Sequence, residues 1–281
     1  MPKHYVPFPV TVSRLTPSDT LERERSVAAF YDVVSGDYNE THKRRFCDSV
    51  LEYFIEQYLP KPPLHIIDIG GGTGRFAIPL SEKGYWVLLY DISEGMIKSA
   101  KSIAESRGAK LEYSQGTATD LSGIVSESFD AIICVNEVLN YCGNYRRALS
   151  ESYRVLKNGG IFMGSVANLF MRATSQELTQ PDIELFRESM ETGNRYISWG
   201  DVGFGHVTHD FTAPELKSAL EKTGFRNLKI LGVFNLLGKH FNNTEVLDKL
   251  DRAAFFRLQL EYAQRPEYLN NSTDFFFLCQ K

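Results

Sequence analysis

The most constraining stretch of the chain is LHIIDIGGGTG at residues 64–74, where a short apolar run meets an acid and then closely spaced glycines. An apolar run of this length that ends in glycines predicts a buried strand entering a tight turn. Because glycine has no Cβ, the backbone of such a turn can approach a ligand closely. Units of strand, turn and helix bind nucleotides at the carboxyl ends of the strands. The stretch therefore predicts a site for a nucleotide-like ligand.

The amino-acid composition limits the kinds of molecule that the protein is expected to bind. The 281 residues are 43% hydrophobic and 23% charged, and the net charge is -4. This balance predicts an ordered fold that binds a small molecule and gives no electrostatic footprint for nucleic acid. The four cysteines form no CxxC pair, so neither a disulfide framework nor a metal site is predicted. No apolar run reaches membrane-spanning length and no secretory signal is apparent, so we expect a cytoplasmic protein without a membrane partner.

The chain is predicted to form one domain with additions to a central sheet. Residues 1–25 contain four prolines and are interpreted as an extended arm. Residues 26–60 have apolar side chains at helical spacing and predict a helical cap. Strands and helices then alternate, which predicts an α/β sheet with right-handed crossovers. A polar and aromatic stretch at 168–208 interrupts this rhythm and predicts a cap insertion within a single domain over 26–281.

Several boundaries follow from capping residues and glycine stops. Ser93 is a predicted N-cap, and Gly108 closes the helix that Ser93 begins. Residues 144–160 predict a second helix with its own glycine stop, followed by a strand at 161–167. The last two strands have no crossover signal between them, so we expect an antiparallel pair at the edge of the sheet.

Four polar residues fall where successive strands end. Asp68 lies inside the glycine turn, Asp91 ends the second strand of the sheet, Asp120 follows the third and Asn136 follows the fourth. The carboxyl ends of parallel strands share one edge of a sheet, so these side chains are expected to face one ligand. The spacing of Asp91 from the turn suits a carboxylate that accepts from both ribose hydroxyls.

The remaining acids suggest the two ends of that ligand. Asp120, with Thr119 before it, is placed to accept from an adenine amine while Ile92 and Leu121 sandwich the ring. Asp68 disfavours a pyrophosphate in the turn and favours a cationic amino acid portion. An adenosine with a positively charged tail is S-adenosylmethionine, which is the predicted cofactor.

With these residues in place, positions 26–167 resemble the class I S-adenosylmethionine-dependent methyltransferases. The segments AFYDVVSGDYNE and HDFTAPELKSALEKTGF are similar to bacterial and archaeal small-molecule methyltransferases of the ubiquinone/menaquinone type and to natural-product tailoring enzymes. The resemblance implies a Rossmann-like, seven-stranded, mostly parallel sheet with an antiparallel last strand. It further implies methyl transfer to a small-molecule acceptor.

The resemblance also assigns roles to individual residues. It implies that Gly70, Gly72 and Gly74 line the methionine end of the cofactor and that Tyr38 closes over it. Asp91 is implied to hold the ribose, and Asp120 the adenine amine. The segment that starts at Asn136 reads Asn-Glu-Val-Leu rather than the D/N-P-P-Y/F box of nucleobase amino-methyltransferases. We therefore expect no nucleic-acid acceptor.

Other functions stay open at this point. Gly72, Gly74 and Ala77 also satisfy the permissive G-x-G-x-x-A pattern, which leaves an NAD-dependent oxidoreductase as an alternative. A non-catalytic S-adenosylmethionine-binding protein is the other alternative. Asp91 is also explained as an acid favoured at a helix start, and Asp120 as the former of an Asx turn.

The acceptor site is predicted less specifically than the cofactor site. The candidate substrate-binding residues are Tyr141, Phe170, Tyr196 and Trp199. A hydroxyl acceptor usually needs a base within hydrogen-bond reach, for which His209 and then His206 are the candidates. Both histidines are also explained as hydrogen-bonding loop residues, and the aromatic residues as local core. The identity of the acceptor, the methylated element (O, N, C or S) and the oligomeric state are not predicted.

Overall fold

The computed structural model describes residues 10–13, 20–36, 38, 46–176, 183–199, 204–233, 236 and 249–281, with the side chains of 10–13, 46–47, 175–176, 198–199 and 204 outside that description. The strands, in chain order, are β1 (Val10–Ser13), β2 (His65–Ile69), β3 (Trp86–Asp91), β4 (Glu112–Gln115), β5 (Phe129–Cys134), β6 (Leu156–Ala167), β7 (Asn194–Trp199), β8 (Phe204–His209), β9 (Arg226–Val233) and β10 (Asp274–Gln280). The helices are α1 (Thr20–Val34), α2 (Phe46–Tyr58), α3 (Ala77–Glu82), α4 (Glu94–Arg107), α5 (Val138–Tyr141), α6 (Tyr145–Val155), α7 (Leu169–Gln176), α8 (Ile183–Thr192), α9 (Ala213–Thr223), α10 (Arg252–Tyr262) and α11 (Pro266–Leu269).

The described residues contain a seven-stranded sheet with the order β4-β3-β2-β5-β6-β10-β9. Strand β2 pairs in parallel with both β3 and β5, and β10 is antiparallel to both of its neighbours. The predicted mostly parallel sheet with an antiparallel last strand is confirmed. The chain runs from β2 to β3 and β4 on one side and returns to β5 and β6 on the other. Open α/β sheets bind ligands where the strand order reverses in this way, which here is the gap between β2 and β5.

The sheet is covered on both faces because its central strands are buried on both sides. Ile66 packs with α2 and α10 in one apolar cluster, whereas Ile67 packs with α6 and α9 in another. Phe54 of α2 and Phe276 of β10 meet edge to face, with ring centroids 5.5 Å apart. Each fully buried side chain of this size contributes about 1.5 to 3 kcal/mol relative to its exposed state. These clusters hold the carboxyl ends of β2 and β5 rigidly in place.

The predicted helix caps are observed at α4. The Ser93 hydroxyl accepts from the Met96 amide, and Gly108 ends the helix with φ +67°. The prediction for 144–160 was wrong at its end, because α6 stops at Val155. Leu156 is fully buried and pairs with Phe129 of β5, so this stretch gains more as the start of β6 than as a further helical turn.

The amino-terminal segment differs from the extended arm predicted for 1–25. Residues 10–13 form strand β1, and α1 already begins at Thr20, so part of that segment is helical. Asp32 near the end of α1 accepts hydrogen bonds from the Ser93 hydroxyl at 2.6 Å and from the Gly95 amide at 3.0 Å. Because these donors lie at the start of α4, Asp32 fastens α1 beside the carboxyl edge of the sheet.

The predicted insertion at 168–208 contains α7, α8, β7 and β8. Strand β7 pairs antiparallel with both β8 and β1, which gives a three-stranded sheet in the described part of the chain. Arg195 of β7 is only 1% exposed, and its Nη1 atom lies 2.5 Å from Oδ2 of Asp210. Asn140 of α5 also donates to Asp210, at 3.0 Å. This buried polar group joins the insertion to the segment that follows β5.

The structure also bears on membrane association. Among the helices in the described ranges, none is both long enough and apolar enough to span a bilayer.

The buried ion pair generates a prediction about stability. Arg195→Met leaves the Asp210 carboxylate buried without its guanidinium, so the free energy of unfolding should fall by about 3 to 5 kcal/mol. The double variant Arg195→Met/Asp210→Asn should lose less, because no uncompensated charge is left inside. Urea denaturation of the three proteins measures both losses. A double variant less stable than the single one would contradict the prediction.

Candidate active site

An open cavity of about 920 Å³, mouth included, lies at the carboxyl ends of β2, β3 and β5. Its wall is completed by α1, by the loop after β4 and by α5. The predicted cofactor residues on this wall are Tyr38, Asp68, Gly70, Gly72, Asp91, Ile92 and Asn136. The topology therefore gathers residues separated by about a hundred positions around one space.

The glycine turn is held by Asp91. Oδ2 of Asp91 accepts from the Gly72 amide at 2.7 Å, and Oδ1 accepts from the Ser93 amide at 2.8 Å. Gly72 has φ +53°, and a Cβ there would meet nothing within 4 Å. At Gly70, also at positive φ, a Cβ would overlap the side chain of Val138. The turn thus needs glycine for its backbone conformation at one position and for close packing at the other.

Buried carboxylates dominate the electrostatics of the cavity. Burial and then the neighbouring Asp91 raise the pKa of Asp68 to about 7, although the Ala77 amide opposes the shift. Burial also raises the pKa of Asp91. Oδ2 of Asp68 is buried and has no hydrogen-bond partner in the described part of the chain. A buried carboxylate oxygen without a donor is costly, so this end of the cavity is suited to a ligand that brings a positive charge.

The loop after β4 reaches the cavity through residues other than those predicted. Gly116, Thr117 and Ala118 lie on the wall, and a Cβ at Gly116 would overlap the Tyr90 hydroxyl. The Thr117 hydroxyl donates to Glu24 Oε1 of α1 at 2.7 Å. Glycine at position 116 therefore makes room for the Tyr90 hydroxyl beside the cavity wall.

The structure does not bring Thr119, Asp120 and Leu121 to the wall. Thr119 is buried and bonds to Glu24, while Leu121 is fully buried in the apolar core. Asp120 is exposed and accepts from the Ser122 amide at 3.0 Å, which is the Asx-turn alternative. Gly74 is also absent from the wall, and a Cβ there would meet Ile78 of α3 at 2.8 Å.

Part of the wall was missed by sequence reasoning. Glu24 and Tyr31 of α1 and Arg75 after the turn all line the cavity. The Tyr31 ring lies 6.2 Å from that of Tyr38, and the Arg75 guanidinium lies 4.9 Å from the centre of the Tyr38 ring. Arg75 also donates to Asp48 at 2.9 Å. No local motif marks these residues, because their position depends on how α1 docks.

The two histidines do not lie on the wall. His209 bonds to Asn194 at 3.0 Å and to Glu215 at 2.9 Å, and its ring stacks on Tyr145 at 4.7 Å. His206 is buried, which lowers its pKa to about 4, and its ring is 5.1 Å from that of Tyr141. Both are placed as packing and hydrogen-bonding residues, with His206 behind Tyr141.

Of the predicted acceptor residues whose side chains the structure describes, Tyr141 alone lies on the cavity wall. Its hydroxyl lies 3.2 Å from Glu137 Oε2. Phe170 is 48% exposed on α7, and Tyr196 lies in β7 away from the wall. The side chain of Trp199 lies outside the described residues.

Known proteins similar to this chain include methyltransferases. A family model described as a methyltransferase domain matches residues 66–160, which include the glycine turn, Asp91 and Asn136. The ubiquinone biosynthesis O-methyltransferase of Rickettsia canadensis is 31% identical over 127 residues, 44% of this chain and 52% of that protein. The tRNA 5-carboxymethoxyuridine methyltransferase of Escherichia coli K12 is 33% identical over 100 residues. That match covers 35% of this chain and 38% of that protein. The matches thus span about half the length of the first curated relatives.

A solved structure extends the likeness to the whole fold. The Burkholderia thailandensis 1,6-didemethyltoxoflavin-N1-methyltransferase, bound to 1,6-didemethyltoxoflavin and S-adenosylhomocysteine, aligns with a TM-score of 0.60 at 15% identity. The alignment covers 97% of this chain and 94% of that one. Residues 66–160 are therefore similar in sequence to a methyltransferase domain, and the chain as a whole shares the fold of the Burkholderia thailandensis enzyme.

Proposed function

We propose that the protein transfers a methyl group from S-adenosylmethionine to a small organic acceptor through an oxygen or nitrogen nucleophile. The observation that carries the proposal is the cavity at the β2/β5 switch point, where Asp68 and Asp91 are buried beside the glycine turn. A cationic tail relieves the cost of these acids, and the two-oxygen carboxylate of Asp91 suits a ribose.

Different residues of the cavity wall would bind the different parts of the cofactor. The sulfonium supplies an already activated methyl group, so the protein's task is to align the nucleophile and exclude water. Asp91 would hold the ribose, while Asp68 and the turn at Gly70 and Gly72 would receive the amino acid portion. Gly116–Ala118 would lie along the adenine, and Tyr38 would close over the cofactor.

The acceptor is the less determined partner. Because one relative is named a tRNA methyltransferase, a nucleic acid is the second candidate acceptor. The chain's net charge of -4 favours a small molecule instead. The buried thiols of Cys134, Cys142 and Cys279 are free, which supports a reducing compartment, and we propose the cytoplasm.

The function is tested in two stages. Calorimetry should detect binding of S-adenosylhomocysteine but not of NAD; the reverse result would overturn the proposal in favour of an oxidoreductase. Labelled S-adenosylmethionine is then incubated with phenols, alcohols, amines and bulk tRNA. Label in a small molecule is expected, whereas label confined to tRNA would reassign the acceptor class. Tight binding without transfer to any member would favour the non-catalytic alternative.

Asp91 and Asp120 provide a matched pair of variants. Asp91→Ala should weaken binding of S-adenosylhomocysteine by about 1.5 to 3 kcal/mol, roughly 10- to 150-fold, because a charged hydrogen-bond partner is lost. Asp120→Ala should leave the affinity within about twofold, because its carboxylate is exposed and away from the cavity. Calorimetry at one pH measures both. Equal losses for the two variants would contradict the site as proposed.

The buried acids also predict how stability depends on pH. Asp68 has a folded-state pKa of about 7, above its ordinary value, so the folded state holds this proton more tightly than the unfolded state does. Its contribution to stability is therefore greatest at low pH and is lost as pH rises from about 4 to 7. Asp274, whose pKa burial and then Glu137 also raise to about 7, acts in the same direction.

Asp68→Asn should accordingly reduce the pH dependence of the ligand-free protein. We expect the wild type to lose roughly 2 to 4 kcal/mol more than the variant between pH 5 and pH 8. Urea unfolding at the two pH values, without ligand, measures the difference. Asp120→Asn is the control, because Asp120 is exposed. Parallel pH profiles for wild type and Asp68→Asn would show that Asp68 does not hold a proton in the folded state.

A further inference from the structure

Tyr141 is backed by a charged group that the proposed function does not use. Its hydroxyl lies 3.2 Å from Glu137 Oε2, and Glu137 Oε1 accepts from Arg172 of α7. The same Arg172 nitrogen is 3.5 Å from Oδ1 of Asp274. Tyr141 lines the cavity, whereas Glu137 does not, so Glu137 acts on a ligand only through Tyr141.

The backbone here is held in an unfavourable conformation. Asn136 and Glu137 are consecutive non-glycine residues with φ values of +59° and +69°. Non-glycine residues in this conformation are strained and are concentrated at functional sites, where the surrounding structure fixes them. The Asn136 amide donates to the Ser165 hydroxyl at 2.8 Å, and Arg172 binds the Glu137 side chain. The strained backbone at Asn136 and Glu137 is thus the conformation in which the Glu137 side chain contacts Tyr141.

The direction of the hydrogen bond follows from the chemistry of its partners. An ionised carboxylate only accepts, so the Tyr141 hydroxyl donates its single proton to Glu137. Burial and then the charge of Glu137 raise the pKa of Tyr141 well above its ordinary value, so the phenol stays protonated. Arg172 pairs with the same carboxylate from its other side, through Oε1. With its hydrogen engaged by Glu137, the Tyr141 oxygen has only lone pairs to offer a ligand.

We propose that Tyr141 selects acceptors whose nucleophile carries a hydrogen, a hydroxyl or a neutral primary or secondary amine, with Glu137 and Arg172 as its positioning residues. This inference rests on the proposed function. A nucleophile that donates its hydrogen to Tyr141 still has a lone pair available for the methyl group. Ethers, tertiary amines and carboxylates have no hydrogen to donate and are selected against.

When the acceptor is a hydroxyl, Tyr141 and Glu137 also take up the proton that the hydroxyl loses. The acceptor oxygen forms its bond to the methyl carbon as the carbon–sulfur bond breaks, and that bond's electron pair stays on sulfur. The hydroxyl proton passes to the Tyr141 oxygen while the Tyr141 proton passes to Glu137. One positive charge leaves the sulfonium and one proton arrives on Glu137, so charge and atoms balance. Neither His206 nor His209 is needed.

Glu137→Gln gives a test that a purely structural role would not pass. Arg172 requires an acceptor at the Oε1 position, so the Gln oxygen should face Arg172 and its NH2 group should face Tyr141. The amide then donates to Tyr141, whose own hydrogen turns to the cavity. The preference for donor ligands should therefore reverse in Glu137→Gln and disappear in Tyr141→Phe.

The probes are phenol with anisole, aniline with N,N-dimethylaniline, and benzoate, each added at pH 7.5 to protein saturated with S-adenosylhomocysteine. Ligand-detected NMR measures binding without turnover. Wild type should bind the donor of each pair at least about tenfold more tightly, since a site built to accept a hydrogen bond rejects the analogue without one. Glu137→Gln should favour anisole and benzoate. Affinity for S-adenosylhomocysteine should stay within about threefold in both variants.

Tyr145→Phe is the matched control. The Tyr145 hydroxyl also donates to a glutamate, Glu215, at 3.1 Å, but Tyr145 is not on the cavity wall. Its loss should leave the ligand preference unchanged. The inference is overturned if wild type binds anisole as tightly as phenol, if it binds none of the donors, or if Glu137→Gln keeps the wild-type preference. Failure to bind S-adenosylhomocysteine would instead overturn the proposed function itself.

Discussion

The arrangement of the site depends on buried negative charge at the centre of the sheet. Asp68 and Asp91 end neighbouring strands, and the Asp91 carboxylate joins the glycine turn to the start of α4 through two backbone amides. Burial raises the pKa of both acids, so the protein maintains this charge at a cost in stability. Ligand-binding sites commonly lower the stability of the free protein, and the bound ligand stabilises the folded state.

The residues that could be predicted from the sequence are those whose position is set locally. The glycine turn, Asp68 and Asp91 follow directly from buried strands, and strand ends in a parallel sheet share one edge. Asp120 also follows a strand, yet its carboxylate turns to solvent because the Ser122 amide offers a closer partner. Which side of a loop faces a ligand depends on the path of the backbone, and spacing alone does not contain that information.

Other parts of the site depend on contacts between distant segments. Glu24 bonds to Thr117, 93 positions later, and Asp32 bonds to Ser93, 61 positions later. Neither pairing has a motif, because each arises only when α1 docks beside the sheet. Similarly, Arg172 reaches Glu137 from the insertion, which was predicted only as a cap. Sequence patterns thus predicted the fold and the residues at the carboxyl edge of the sheet, whereas the contact of Arg172 with Glu137 depends on the tertiary structure.

The pairing of β1 with β7 affects the order in which the molecule can be completed. Val10 faces Trp199 in register, so the first described strand has no partner until residues near 199 have been synthesised. α1 likewise meets β8, where the Ser26 hydroxyl donates to the Gly205 carbonyl at 2.9 Å. Contacts of such high sequence separation form late, because a long loop must close before they are gained. Strands β2 to β6 can therefore pair with one another before β1 and the β8 side of α1 gain their partners.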